Sequence, residues 1–181
     1  MERLNESSLP DNPLELFGQW LEAAQASGVD LPEAMVLATA DEQGRPSARM
    51  VLLKGFSEQG LLFFTNYQSR KARELAANPR AALLFYWRVL HRQIRIEGRV
   101  EKASRETAEQ YFRQRPLRSR VSAWISPQSR PVPDRKMLEG AFQQFLEKTP
   151  GKAAHCPPYW GGYWLKPEYW EFWLGHEDRL H

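Results

Sequence analysis

Five apolar, β-rich runs follow one another between residues 34 and 103, each closed by a turn or a short polar insert, and this succession constrains the fold most. They are AMVLATA (34–40), SARMVLLKGF (47–56), LLFFTN (61–66), RAALLFYWRVL (80–90) and RQIRIEGRVEKA (92–103). In the last run Ile94, Ile96 and Val100 alternate with Arg95, Glu97, Arg99 and Glu101, the period of a half-buried strand. Turn-forming DEQGRP and SEQG separate the first three runs and predict a meander of hairpins. After Pro157-Pro158, GGYWLKPEYWEFWLG predicts two closing strands.

Helices are inserted between the strands. In NPLELFGQWLEAAQASG, Asn12 is placed to cap, Pro13 sits at the first helical position and Glu15 has capping-box spacing. Leu16, Phe17, Trp20, Leu21 and Ala24 then form one apolar stripe. A short helix is predicted behind Ser69, another over 104–116, a helical turn or two within SRVSAWIS, and an amphipathic helix over 133–148. That last helix carries Met137, Leu138, Ala141, Phe142, Phe145 and Leu146 on one side. Antiparallel strands with helices between them predict a mainly β, α+β architecture: a small barrel decorated by helices.

A chain of 181 residues suits one domain with a real core, read here as a loose arm over 1–11 and a domain over 12–181. The net charge of +3 allows an anionic ligand but is too small to imply a nucleic-acid partner. Cys156 is the only cysteine, which excludes an intrachain disulfide and fits a reducing compartment. The polar start MERLNESSLPDNP is unlike a signal peptide, and no apolar run approaches a membrane span, so a cytoplasmic protein is expected. Seven Trp, four of them between 160 and 173, predict a large aromatic surface in a core, a ligand site or a subunit contact.

Three basic groupings are candidates for chemistry. Arg70 and Lys71 open the helix behind Ser69, where the dipole disfavours each cation by about 0.3–1 kcal/mol. A phosphate at the helix start would reverse that sign; two solvated side chains would make the cost negligible in salt. Arg49 and Lys54 lie five apart in RMVLLK, on opposite faces of a strand unless its end bends. They are either ligand-binding or gatekeepers flanking a buried strand. In YFRQRPLRS, Tyr111 and Arg115 share a helical face and Ser119 follows Pro116. These three suit a phosphate or carboxylate, or equally a surface helix end whose dipole favours an arginine. The histidines 91, 155, 176 and 181 lack metal-site spacing, so no metal is expected. There is no P-loop, G-x-G-x-x-G or nucleophile elbow, and Cys156 reads as an incidental thiol.

Taken together, RMVLLK, FFTNYQSRKARELAANPRAALLFYW, RQIRIEGRVEK, YFRQRPLRS, AWISPQS, WGGY and EFWLGHEDRLH resemble, in order and spacing, the pyridoxamine 5'-phosphate oxidase family. The resemblance implies an FMN-binding split β-barrel with Greek-key-like antiparallel strands, working as a homodimer with FMN at the subunit interface. It implies oxidation of pyridoxamine and pyridoxine 5'-phosphate to pyridoxal 5'-phosphate, with oxygen as acceptor and hydrogen peroxide released. By the same resemblance Arg49, Ser69, Arg70 and Lys71 hold the FMN phosphate and ribityl chain. Met50, Val51, Leu52, Leu53, Lys54, Phe64 and Thr65 line the flavin, and Gln93, Gln128, Ser129 and Trp173 complete the pocket, largely from the other subunit. Lys54, Tyr111, Arg115 and Ser119 would take the substrate phosphate, and Arg179 and His181 would cover its pyridine ring as catalytic residues.

Leu174, Trp164 and Phe64 stand where the family commonly has Gln, Arg and Tyr, and the N-terminal Arg-x-x-Tyr has no counterpart. The family pattern continues beyond Arg-Leu-His with Asp-Arg, a further strand and Arg-Leu-x-Pro, so two alternatives stand: the C-terminal end is incomplete, or the protein has lost these elements. Two rival readings use the same residues: a related flavin oxidase acting on a phenazine precursor, and a split barrel that binds flavin or pyridoxal phosphate without turnover.

Overall fold

The computed structural model describes residues 4–176 except 6, 8, 150, 152 and 154. Helix α1 (Pro13–Ala26) starts where Asn12 accepts a hydrogen bond from the Leu14 amide, and it buries the predicted stripe Leu16, Phe17, Trp20, Leu21 and Ala24. The strands are β1 (Ala34–Ala40), β2 (Pro46–Leu52), β3 (Gly55–Ser57), β4 (Gly60–Asn66), β5 (Arg80–Trp87), β6 (Arg92–Lys102) and β7 (Trp160–Leu174). Helix α2 (Arg70–Ala77) lies between β4 and β5, and α3 (Arg105–Gln114), α4 (Leu117–Ile125) and α5 (Arg135–Lys148) lie between β6 and β7.

The strands form one antiparallel sheet in the order β2-β1-β5-β6-β7-β4-β3. Its two edge strands, β2 and β3, are joined by Leu53 and Lys54 alone. The three Cα steps from Leu52 to Gly55 span roughly 11 Å at most, so the sheet has to curl until its edges meet. The hydrogen bonding changes hands at this seam. The Leu53 amide donates to Glu33 O on the β1 side at 2.9 Å, and the Lys54 amide donates to Leu62 O of β4 at 2.8 Å. The single strand expected over 47–56 is therefore two strands with a corner between them.

Three further expectations are corrected. The closing segment is one strand of fifteen residues, not two. Pro167 sits at a bulge, where Glu97 pairs with Tyr169 and Gly98 with Pro167, the kind of position at which a sheet tolerates proline. The strand expected over 80–90 ends at Trp87; a 3-10 turn over Arg88–Leu90 and a left-handed His91 (φ 52°) reverse the chain into β6. SRVSAWIS contributes to a nine-residue helix, α4, longer than a turn or two.

The main core lies between α1 and the curled sheet, around Phe17, Phe63, Phe85, Trp87, Ile94 and Ile96. A second cluster of Ala108, Phe112, Ala123, Cys156 and Trp160 joins α3 and α4 to the start of β7. Helix α5, capped by Asp134, buries none of its residues and leans on α4, with the Arg118 guanidinium 5.5 Å from the Phe142 ring. Among the described residues no helix is long and apolar enough to cross a membrane.

Candidate functional site

A cavity of about 530 Å³ opens where the end of β2, the seam, β4, α2, α3, α4 and the first residue of β7 meet. Three cations line it, Lys54, Lys71 and Arg115, and among the described residues no carboxylate does. Its floor is aromatic. Phe64, Tyr111 and Trp160 stack nearly parallel, Phe64 lying 4.3 Å from Tyr111 and 5.2 Å from Trp160 between ring centroids.

Each cation arrives there for a local reason. Lys54 reaches the cavity because the seam turns the chain, which is the bend that odd spacing from Arg49 requires. Lys71 follows the Ser69 cap; it is 7% exposed, and its ammonium donates to Thr65 Oγ1 at 3.1 Å. Burial, with Arg49 nearby, brings its pKa down to about 8, against the pull of Glu74. Arg115 ends α3 because Pro116 confines the preceding residue to extended backbone (φ −71°, ψ 143°). Its guanidinium lies over Trp160 at 4.8 Å, and its Nη1 is buried with no hydrogen-bond partner.

Of the other expected site residues, Met50, Val51, Leu52, Phe64, Thr65, Tyr111, Ser119 and Gln128 line the same cavity. Gln128 belongs to this chain's own cavity wall, its Oε1 accepting from Thr65 Oγ1 at 3.2 Å and from the Asn66 amide at 3.3 Å. Leu53 and Ser69 are buried beside it, Leu53 in the main core and Ser69 as the α2 cap. Ser129 is exposed with a left-handed backbone (φ 65°). Gln93 and Trp173 face each other in the β6–β7 register, outside the cavity. Arg179 and His181 lie outside the described residues.

Arg49 and Arg70 are held by a residue that sequence reasoning passed over, Glu74. Its Oε1 accepts from Arg70 Nε at 2.7 Å; its Oε2 accepts from Thr39 at 2.5 Å, Ser47 at 2.6 Å and Arg49 at 3.2 Å. Arg49 also donates to Leu37 O and to the hydroxyls of Thr39 and Ser47. Among the described residues the terminal amino groups of Arg70 make no hydrogen bond. The i,i+4 spacing of Arg70 and Glu74 was a legible signal; the long-range Arg49 pair was not. Trp160 was likewise unassigned, although WGGY contains it.

Burial alone raises the Glu74 carboxyl, but the bonds from Ser47, Thr39, Arg70 and Arg49 outweigh it and hold the pKa at about 2, below its ordinary 4.5. A depressed carboxylate stabilises the fold above its unfolded value and loses that contribution as pH falls toward its folded value. The difference amounts to about 3 kcal/mol. The stability advantage of the native chain over Glu74→Gln is expected to be large at pH 7 and to shrink steadily between pH 4.5 and 2, as read by urea unfolding. Cys156 is buried, and burial pushes its thiol up, which disfavours the reactive thiolate.

A curled antiparallel sheet, closed by a two-residue seam over a cationic cavity, defines a split-barrel protein. The chain belongs to the pyridoxamine 5'-phosphate oxidase family, whose sequence pattern matches residues 21–148. It is 53% identical over 178 residues to a pyridoxine/pyridoxamine 5'-phosphate oxidase of Cupriavidus taiwanensis, covering 98% of this chain and 84% of that one. Among solved structures, PhzG of Burkholderia lata 383, in complex with tetrahydrophenazine-1-carboxylic acid, superposes with a TM-score of 0.93 at 32% identity, covering 100% of this chain and 89% of PhzG. A pyridoxamine 5'-phosphate oxidase-related, FMN binding protein of Nostoc punctiforme shares the fold, with a TM-score of 0.71 at 20% identity over 91% of this chain and 86% of that one.

Proposed function

We propose that this chain is a cytoplasmic, FMN-dependent oxidase that converts pyridoxamine 5'-phosphate and pyridoxine 5'-phosphate to pyridoxal 5'-phosphate. Oxygen is the electron acceptor and hydrogen peroxide the by-product. One observation carries the reading: the side chains of Lys54, Tyr111, Arg115 and Ser119 make no hydrogen bond among the described residues, yet all face one cavity without a carboxylate. Four donors left without acceptors in a partly desolvated cleft await an anion, and a phosphoester satisfies several at once.

The residues also fit a flavin mononucleotide. Among the described residues Lys71 is a buried cation whose one hydrogen-bond partner is a hydroxyl, and the amino groups of Arg70 make no hydrogen bond at the same helix start. Lys71, Arg70 and Thr65 would hold the phosphate, with Arg49 behind them, and the backbone from Met50 to Leu53 with Gln128 would flank the ring system. When bound, FMN would supply the redox chemistry, as acceptor for a hydride from the substrate C4′ carbon. The protein's share is orientation: an anion anchor at α2 and another at the end of α3 fix one ring system against the other. Gln93, Ser129 and Trp173 are apart from the cavity, which supports a homodimer in which a second copy brings them to it. Arg179 and His181 are assigned to the substrate ring.

Peroxide release on addition of pyridoxine 5'-phosphate, but not of pyridoxine, tests the reaction; a flavin-loaded chain that releases none overturns it. Lys71→Ala is expected to purify folded but with at least tenfold weaker FMN binding, read from flavin absorbance and fluorescence titration. Because the free protein loses the Lys71 proton near pH 8, FMN affinity is expected to fall as pH rises through that value, and Lys71→Arg to flatten the slope. The whole-chain match to PhzG supports one other reading, a flavin oxidase of a tricyclic carboxylate, which peroxide release with such a substrate would favour.

A further inference from the structure

We infer that Trp160 is a positioning residue, whose indole face holds the Arg115 guanidinium in the cavity without engaging any of its N–H donors, so that the cation stays available to the substrate phosphate. The inference rests on the reading of this cavity as a phosphoester site.

Many arginines elsewhere in the molecule are held by oxygen, although Arg118 instead lies 5.5 Å from the Phe142 ring and the Arg120 Nε is buried without a partner. Arg49 and Arg70 share Glu74, Arg80 pairs with Glu168, Arg95 with Glu171 and Arg135 with Glu139. Arg105 is tied to Glu109 and to the carbonyls of Cys156 and Pro157. Arg115 is different. Among the described residues it forms no ion pair, and what surrounds its charge is aromatic: Trp160 at 4.8 Å and Phe112 at 5.8 Å. Its buried Nη1 has no partner. Burial works against its charge in the free protein, with Tyr111 and Cys156 opposing that effect only in part.

Trp160 can do this because its own plane is fixed. It is 6% exposed, stacks on Phe64 at an interplanar angle of 4° and meets Phe112 edge-on at 5.2 Å. Its backbone opens β7 opposite Asn66 of β4, and its amide donates to Pro157 O at 3.1 Å. The sheet thus orients the indole, and the indole orients the guanidinium. A carboxylate in that place would neutralise the cation and compete with the incoming anion. A π face attracts the charge through its quadrupole and leaves the planar fork of donors open.

The test is equilibrium titration of the FMN-loaded protein with pyridoxal 5'-phosphate and, separately, with pyridoxal. For Trp160→Leu the Kd of the phosphorylated ligand is expected to rise about tenfold while that of pyridoxal changes less than about twofold. Trp160→Phe, which keeps a ring, should fall between. An unchanged ratio of the two Kd values in the variants overturns the inference, as does an equal loss of both ligands, which would mark Trp160 as packing alone. Should Trp160→Leu fail to fold, Trp160→Phe decides by the same ratio. A native protein that binds pyridoxal as tightly as its phosphate would instead overturn the phosphoester reading of the cavity, so the two failures are distinguishable.

Discussion

Arg115→Ala is expected to raise the KM for pyridoxine 5'-phosphate by two orders of magnitude or so while leaving the flavin bound. Truncating one partner of a hydrogen-bonded, desolvated charge pair costs about 2–5 kcal/mol, which is roughly 30- to 4,000-fold. Among the described residues Arg115 has no ion pair to relax into, so the loss falls on the ligand. The proposed flavin anchors Arg70 and Lys71 stand on α2, and the α3 end that carries Arg115 is a separate element. Arg115→Lys should recover only part of the loss, because an ammonium lacks the planar fork. Steady-state kinetics beside the flavin absorbance of the purified variant check this. A folded but colourless Arg115→Ala protein would show that the two anion anchors are not separate.

A large effect on stability is expected from Gly98→Ala. A Cβ at Gly98 would lie 2.0 Å from Lys166 O and 3.1 Å from Pro167 Cα, both backbone atoms of the paired strand at its bulge. Neither can rotate away, so β6 and β7 must separate. Overpacking of this kind belongs to the severe class of substitutions, about 3–5 kcal/mol, or a fall in Tm of roughly 6–20 °C for a chain of this size. Gly140→Ala is the control of opposite sign. It lies within α5 with nothing inside 4 Å of the new methyl, so helix propensity alone raises stability by about 1 kcal/mol. A Gly98→Ala protein that melts with the native one would mean that the bulge relaxes freely.

Most of the strands, and the α1 stripe with its Asn12 cap, were legible because alternation and capping are local signals. The seam was not. Whether RMVLLKGF continues as one strand or turns a corner depends on β1 and β4 competing for its amides, and both partners are remote in sequence. The bulge at Gly98 was hidden for the same reason: Pro167 reads as a strand breaker until an extra residue opposite β6 makes room for it. Local spacing placed Tyr111, Arg115 and Ser119 together, and resemblance placed Lys54 with them. Glu74 escaped because its network joins β1, β2 and α2, three segments spread over residues 37–74. Trp160 escaped because a tryptophan in a Trp-rich segment carries no mark that its face, and not its bulk, is in use.

The place of β7 in the sheet bears on how the chain is made. It is the last of the described strands in sequence, yet it sits between β6 and β4. A ribosome completes β4, whose residues are nearly all buried and whose centre is the apolar run Leu61 to Phe64, about a hundred residues before its neighbour emerges. Throughout that interval GLLFFTN has an unmatched edge, the kind of segment that nascent chains use to associate wrongly. Translational pausing before Trp160, or chaperone depletion, should therefore lower the soluble yield far more than the stability of the finished barrel would suggest.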